Sequence, residues 1–177
     1  ELMLGAEKPV VDGLAAAYYD IRLGLGFNKS PSEYGAFPTD PYSHTPTGSG
    51  ARQPGMTGQV KEEILTRWGE LGVSVQDGTL QFSPTLLQAD EFLPLAGDFS
   101  YVDITGETRT IPLPPYSLAF TYCQTPVIYT RGDVAEIKVT FAAGQSAVRP
   151  GNRLDTVITN HIFARDQKVE LVHVTVV

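Results

Sequence analysis

The sequence contains one cysteine, and this scarcity excludes two kinds of site. Cys123 has no second cysteine with which to form an intrachain disulfide or a multi-cysteine metal site. Basic residues are also few: 13 Lys and Arg stand against 20 Asp and Glu, and no stretch clusters them as a phosphate-tracking face would require. The resulting net charge of −7 argues against a nucleic-acid partner.

Long apolar runs and cofactor motifs are absent as well. No apolar segment approaches the roughly 20 residues that a helix needs to cross a bilayer, so no membrane span is predicted. The glycines of Gly24-Leu25-Gly26 lack the third glycine and the preceding strand of a dinucleotide fingerprint, and no cofactor is predicted. The chain begins at Glu1 without a signal-peptide pattern, which suggests a processed form or a piece of a longer protein.

Two segments near the beginning show the residue spacing of helices. Pro9 suits a first helical turn and Gly24 provides a stop, so one helix is predicted at about Pro9 to Leu23. Its apolar stripe consists of Val11, Leu14, Tyr18, Ile21 and Leu25. A second helix is predicted between Thr57, a candidate N-cap, and Gly72. Its buried face is expected to contain Val60, Ile64, Trp68 and Leu71.

From Val73 onward the apolar period changes to two, which is typical of strands. An Asp77-Gly78 turn predicts a hairpin in which Val75 faces Leu80. Further strands are predicted at Phe99–Ile104, Glu107–Leu113, Ser117–Cys123, Val127–Arg131, Ala135–Phe141, Leu154–Ala164 and Lys168–Val177. Turns between them are predicted at Gln124-Thr125-Pro126, Arg131-Gly132-Asp133 and Ala143-Gly144. The pattern predicts an α+β chain with a helical pair in residues 1–72 and an antiparallel β-sandwich in residues 73–177.

The segment 28–57 between the two helices is the candidate site. Its five prolines and four glycines exclude a long helix or a central strand. Loops of this length inside a compact domain tend to be functional or disordered. Ring faces and hydrogen-bonding side chains suit a carbohydrate, and the candidate substrate-binding residues are Tyr34, Tyr42, His44, Arg52 and Gln53. The alternative is that the rings only anchor the loop to the helices.

Two carboxylates are candidates for catalysis. Glycoside hydrolysis needs a pair of carboxyl groups roughly 5 to 10 Å apart, and Asp40 with Glu62 could form one if the loop folds back over the second helix. The structural alternative is that Asp40 forms a turn before Pro41 and that Glu62 complements the helix dipole. A metal site would require His44, His161 and His173 together, and no metal is predicted.

The order of these features resembles the carboxyl-terminal end of the six-hairpin glycosidases, the glycoside hydrolases and sugar phosphorylases built on an (α/α)6 toroid. The matching phrases are GQVKEEILTRWGELG, DGTLQFSPTLL, SLAFTYCQTPVIYT and EIKVTFAAGQ. In that group the last toroid helices pass directly into a terminal β-domain. The resemblance implies that the principal catalytic acids lie on earlier helix connections, outside this chain.

Two functions remain open at this stage. The first is the carboxyl-terminal segment of a carbohydrate-active enzyme, which contributes a substrate-facing loop and a structural β-domain and has the remainder of a larger protein and carbohydrate as partners. The second is a self-contained β-sandwich module that binds carbohydrate or a protein without catalysis. An exposed stripe at Val11, Leu14, Tyr18 and Ile21 would favour the first function, whereas burial of that stripe would favour the second.

Overall fold

A computed structural model describes residues 7–24 and 59–177. The chain divides into two units, Glu1–Glu70 and Leu71–Val177. The first unit contains helices α1 (Lys8–Gly24) and α2 (Gln59–Glu70), close to the predicted positions. Tyr18 of α1 donates its hydroxyl hydrogen to Glu70 Oε1 of α2 at 2.5 Å, and Arg67 pairs with Glu70 Oε2 at 2.9 Å. The charge-assisted bond from Tyr18 joins the two helices of this unit, whereas the Arg67–Glu70 pair lies within α2.

The apolar stripe of the helices is only partly covered. Leu14 is 41% exposed, whereas Val11 and Tyr18 are half-buried, so the stripe is neither fully exposed nor fully buried. The prediction that Trp68 is buried is wrong, because its side chain is half-buried. Ile64, one turn earlier on the same predicted face, is 52% exposed. Among the described residues, this face of α2 is therefore not a closed core seam.

The second unit contains nine strands, one α-helix, α3 (Thr156–Ala164), and a short 3-10 helix at Ala89–Glu91. The strands are β1 (Val73–Gln76), β2 (Thr79–Phe82), β3 (Gly97–Val102), β4 (Thr108–Leu113), β5 (Ser117–Tyr122), β6 (Thr125–Arg131), β7 (Glu136–Phe141), β8 (Ser146–Pro150) and β9 (Val169–Val176). They form two-stranded sheets β1-β2 and β3-β4 and a five-stranded sheet in the order β5-β6-β9-β7-β8. The α+β class is confirmed.

The strand pairs are antiparallel with one exception, in which β9 lies parallel to β6. The β1-β2 hairpin has the predicted register, with Val73 opposite Phe82 and Val75 opposite Leu80. The predicted alternation is also confirmed in the centre of the large sheet, where Ile137, Val139, Val172 and Val174 are all buried. This alternating face supplies much of the core of the unit.

The strand predicted at Leu154–Ala164 is wrong, because most of this segment forms α3. The Asp155 side chain accepts a hydrogen bond from Ile158 N at 2.9 Å and so caps the first turn. Ile158 and Ile162 are buried, and their spacing of four places them on one side of the helix; Leu154, which precedes the cap, is buried as well. Local β-branched residues suggested a strand, but this cap and the helical burial pattern decide the outcome.

Two connections also differ from the sequence-based expectation. Strand β8 was not predicted, and it pairs with β7 beyond the predicted turn at Ala143-Gly144. The tripeptide Arg131-Gly132-Asp133 was expected at a hairpin tip. It begins the connection from β6 to β7, which lie on opposite sides of β9 rather than side by side. Gly132 N donates to Val176 O at 3.0 Å and holds this connection against the end of β9.

One buried tyrosine links the small hairpin to the large sheet. Tyr129 of β6 is fully buried, and its ring meets Phe82 and Phe120 edge-on. Its hydroxyl donates to Leu71 O at 2.7 Å. Burial raises the pKa of Tyr129 far above the ordinary tyrosine value, so the phenol stays a neutral donor. The aromatic cluster therefore combines edge-to-face packing with a satisfied buried hydroxyl.

Candidate functional site

Most of the sequence-predicted site residues lie outside the described residues. Tyr34, Asp40, Tyr42, His44, Arg52 and Gln53 all belong to the segment 25–58. Glu62 is in α2, where the structure describes the backbone and not this side chain. The proposed convergence of the loop residues and the Asp40–Glu62 carboxyl pair therefore stay predictions. The candidate site that the structure does describe lies in the second unit.

A polar cavity of about 360 Å³ lies where the β3-β4 loop, the β5-β6 turn and the end of α3 meet. This volume falls within the range of small-molecule sites. Asp103 belongs to the β3-β4 loop, Tyr101 and Arg109 belong to the strands β3 and β4 that flank it, and Gln124 belongs to the β5-β6 turn. His161, Arg165 and Glu170 line the opposite part. The cavity thus brings an aromatic ring, an amide and both signs of charge together.

Asp103 organises the wall that the β3-β4 loop provides. Its Oδ1 accepts hydrogen bonds from Thr105 Oγ1 at 2.6 Å, from Thr105 N at 2.8 Å and from Glu107 N at 3.1 Å. Its Oδ2 accepts from Arg109 Nε at 2.8 Å. The bonds from Thr105, followed by that from Arg109, lower the pKa of Asp103 well below the usual range. The carboxylate stays ionised and fixes both the loop and the Arg109 guanidinium.

The β5-β6 turn consists of Cys123 and Gln124, both of which have positive φ, 49° and 64°. Gln124 Nε2 donates to the Asp103 carbonyl oxygen at 3.2 Å and so ties this turn to the β3-β4 loop. The sequence placed the turn one residue later, at Gln124-Thr125-Pro126. In the structure Thr125 already belongs to β6, opposite Tyr122.

Backbone conformations that favour glycine are concentrated at this cavity. The described residues include six non-glycine residues with positive φ, and four of them line the cavity: Cys123, Gln124, Arg165 and Gln167. Such conformations cost free energy and tend to occur at functional sites. Arg165 is the C-cap of α3, with φ 51° and ψ 42°, and it lines the cavity.

Tyr101 supplies the aromatic wall. Its ring stacks on Phe99, with centroids 5.7 Å apart and planes 11° from parallel. Burial, together with the negative charges of Asp103 and Glu170, raises the pKa of Tyr101. The phenol therefore remains protonated and can donate a hydrogen bond at neutral pH. A ring held by a second ring from behind is a rigid surface for a flat apolar ligand face.

His161 lies at the opposite side of the cavity, on α3 rather than on the predicted strand. Its Nδ1 is 2.7 Å from Asp166 Oδ2, and Lys168 N donates to Asp166 Oδ1 at 3.1 Å. Burial acts to raise the pKa of Asp166, but the hydrogen bonds from His161 and Lys168 outweigh it and lower the pKa. The ionised Asp166 accordingly orients the imidazole, with Nδ1–H as the donor.

The remaining described histidine is His173. His173 lies on β9 as predicted, and its Nε2 is 2.8 Å from Thr130 Oγ1. Burial lowers the pKa of His173, with a further contribution from Lys138. No group of three or more His, Cys, Asp and Glu side chains that could hold a metal ion occurs among the described residues. Within the same ranges, no helix is long and apolar enough to cross a membrane.

Comparison with protein-family models gives no match, and comparison with curated protein sequences gives none either. The function must therefore be argued from the residues of the cavity.

Sequence reasoning missed this cavity because its residues come from separate turns. Asp103 with Thr105-Gly106 could have been noticed as an Asp-centred turn, since Asp readily binds backbone N–H groups two residues ahead. Gln124 and His161 carry no comparable local signal.

Proposed function

We propose that this chain is the carboxyl-terminal part of a carbohydrate-active enzyme and that the unit Leu71–Val177 is its non-catalytic, saccharide-binding β-domain. The observation that carries the proposal is the cavity in which the supported ring of Tyr101 lies beside fixed polar groups. The proposal also rests on the sequence resemblance to six-hairpin glycosidases, whose order of elements is a helical pair followed by a terminal β-domain.

The chemistry of the cavity suits a neutral, polyhydroxylated ligand. An aromatic face covers the apolar C–H face of a pyranose, and its hydroxyls need several directed donors and acceptors once they leave water. Gln124, the Asp103–Arg109 ion pair and His161 supply such groups without an excess of either charge. Arg109 pairs with Asp103 Oδ2 at 2.8 Å and with Glu107 Oε2 at 2.6 Å, so this wall presents hydrogen-bonding atoms that a network of ion pairs holds in place.

Catalysis is assigned elsewhere in this proposal. The Asp103 carboxylate is engaged by Thr105, Glu107 and Arg109, and its lowered pKa makes it a poor proton donor near neutral pH. Asp40 and Glu62 remain the candidates within this chain for contact with the reacting sugar. The loop residues Tyr42, His44 and Arg52 remain the candidates for substrate binding in the intact enzyme.

The binding test uses the 177-residue chain and a panel of malto-, cello- and xylo-oligosaccharides, followed by NMR of the amide groups. We expect the shifted amides to be those of the β3-β4 loop and the β5-β6 turn. Tyr101→Ala should weaken binding by about tenfold or more, because stacking on a ring contributes roughly 1 to 3 kcal/mol. Tyr116→Ala is the matched control, since Tyr116 is 67% exposed and does not line the cavity.

Three results would count against the proposal. One is the absence of any shift in these amides with every oligosaccharide of the panel. Another is equal affinity for Tyr101→Ala, Tyr116→Ala and the unchanged chain. A shift confined to amides outside the cavity would place a binding site elsewhere and would likewise overturn the assignment.

A further inference from the structure

A second and larger cavity, of about 650 Å³, lies at the end of the five-stranded sheet away from the residues described above. Its apolar lining includes Phe82 and Phe92, which are almost fully buried. Its polar lining includes Arg131, Asn152 and Thr175. No Asp or Glu is among its lining residues in the described part of the chain. The cavity therefore combines an apolar floor with one positively charged side chain, that of the exposed Arg131.

Arg131 is held at this cavity in a defined position. Its guanidinium carbon lies 5.0 Å from the centre of the Phe92 ring, in a cation–π arrangement. The neighbouring backbone is fixed by the bond from Gly132 N to Val176 O. A side chain at position 132 would place its Cβ 2.6 Å from Thr175 Cγ2, so glycine permits this close approach. Both the backbone and the head group of Arg131 are thus positioned.

The donors of Arg131 are not used within the described residues. Its guanidinium makes no hydrogen bond or ion pair with any residue in the ranges 7–24 and 59–177; its described side-chain contact is the Phe92 ring. A guanidinium carries five N–H donors, and stacking on a ring leaves the in-plane donors available. Asn152 is already oriented by a bond from its Nδ2 to Ser83 Oγ at 2.6 Å. Arg131 thus brings donors without a described partner to a cavity that no described Asp or Glu side chain lines.

We propose that this cavity binds an organic carboxylate with an apolar body. The planar fork of Arg131 matches the two oxygens of a carboxylate, and Phe82 with the aliphatic lining covers the apolar body. Inorganic phosphate fits less well, because a single guanidinium leaves most of its oxygens unpaired above an apolar floor.

The probe is 3-phenylpropionate, and its neutral matched compound is 3-phenylpropanamide. NMR of the 177-residue chain should show shifts at the amides of Gly132, Asn152 and Thr175 and at the Nε–H of Arg131. We expect 3-phenylpropanamide to bind at least about tenfold more weakly, because charge-assisted bonds are roughly twice as strong as neutral ones. Inorganic phosphate is tested separately, and tighter binding of phosphate than of 3-phenylpropionate would overturn the assignment.

Two variants that each remove one positive charge distinguish a specific carboxylate site from a general effect of charge. Arg131→Gln should abolish the selectivity for the carboxylate, whereas Lys138→Gln, which removes the same charge from an exposed position on β7, should preserve it. If Arg131→Gln does not fold, Arg131→Lys provides the same comparison, with binding weakened because the fork is lost. Equal effects at positions 131 and 138, or equal affinity for both compounds, would contradict the proposal. Tyr101→Ala should leave this binding unchanged, which separates it from the saccharide cavity.

Discussion

Two hairpin turns in the same unit share a backbone geometry but not a residue choice. The β1-β2 turn places Asp77 and Gly78 at φ 49° and 69°, and the β5-β6 turn places Cys123 and Gln124 at φ 49° and 64°. Both are two-residue loops with positive φ at each central residue, for which Asp-Gly is a preferred pair and Cys-Gln is not. The first turn uses residues suited to the backbone alone. The second turn carries side chains that line a cavity.

The comparison suggests that the second turn retains strained residues for what their side chains do. Gln124 bonds to the Asp103 carbonyl and lines the cavity, whereas Gly78 has no neighbouring atom within 4 Å of where a Cβ would lie. A left-handed conformation costs a non-glycine residue about 1 to 2 kcal/mol. A sequence selected for stability alone would place glycine at position 124. The choice of residues thus distinguishes the β1-β2 turn, which is structural, from the β5-β6 turn, which we propose serves binding.

The largest loss of stability is expected from a substitution at the base of the β1-β2 hairpin. Gly72 has φ 65°, and a Cβ there would lie 2.1 Å from the carbonyl carbon of Ser83. Gly72→Ala should therefore lower the free energy of unfolding by about 3 to 5 kcal/mol. Gly78→Ala is the matched control, since only its positive φ opposes the substitution, and it should cost about 1 to 2 kcal/mol. Urea unfolding of both variants checks this, and equal losses would contradict the steric account.

The next largest loss of stability is expected when the hydrogen bond between Tyr129 of β6 and Leu71, just before the β1-β2 hairpin, is removed. Tyr129→Phe removes the hydroxyl that donates to Leu71 O and leaves a buried carbonyl without that donor. We expect a loss of about 1 to 3 kcal/mol in the free energy of unfolding, measured by chemical denaturation. Tyr122→Phe is a useful comparison, because Tyr122 is only half-buried on the neighbouring strand β5. A loss below about 0.5 kcal/mol for Tyr129→Phe would contradict the assigned role of the bond to Leu71.

A smaller effect is expected at the cap of α3, the helix that packs on the first hairpin through the bond from Leu80 N to Thr159 Oγ1. Asp155→Ala should cost about 1 kcal/mol, and Asp155→Asn should retain most of the cap. The bond from Ile158 N lowers the pKa of Asp155 despite partial burial. Its contribution is therefore complete above the unfolded pKa of about 4 and is lost as pH falls through the lower folded pKa.

Chemical denaturation at neutral and at acid pH tests the predicted direction of this pH dependence. The difference in stability between the unchanged chain and Asp155→Ala should shrink as the pH falls below about 4. The corresponding difference for Asp155→Asn should be small at neutral pH. A difference that grows on acidification would contradict the assigned direction of the pKa shift.

The same comparison explains how far the sequence predicts the fold. Asp77-Gly78 is a strong local signal, and the register of β1 and β2 follows from it with Val75 opposite Leu80. The segment 154–164 misled prediction because its β-branched residues favour a strand locally, while the Asp155 cap and burial of Ile158 and Ile162 favour a helix. Spacing of four at Leu154, Ile158 and Ile162 was the available signal.

The cavity was beyond sequence reasoning for a different reason. Asp103, Gln124 and His161 are separated along the chain and meet only through the pairing of β5 with β6 and the return of α3. No local period relates them, and Cys123-Gln124 is not a pair that signals a hairpin turn. Prediction therefore concentrated on the segment 28–57, where chemistry-bearing residues are dense in the sequence. Long-range pairing, which short-range patterns do not encode, brings the described site together.

The most direct test replaces Cys123-Gln124 with Asn-Gly, the preferred pair for this turn, and measures both stability and oligosaccharide binding. The account predicts a free energy of unfolding that is unchanged or higher, because relief of the left-handed strain offsets the lost bond to Asp103. It predicts that affinity for the oligosaccharide selected from the panel falls by about tenfold or more. Asp77→Asn, which also gives Asn-Gly, should change neither property. Unchanged oligosaccharide affinity in the Asn-Gly variant at positions 123 and 124 would contradict the central claim that this turn serves binding.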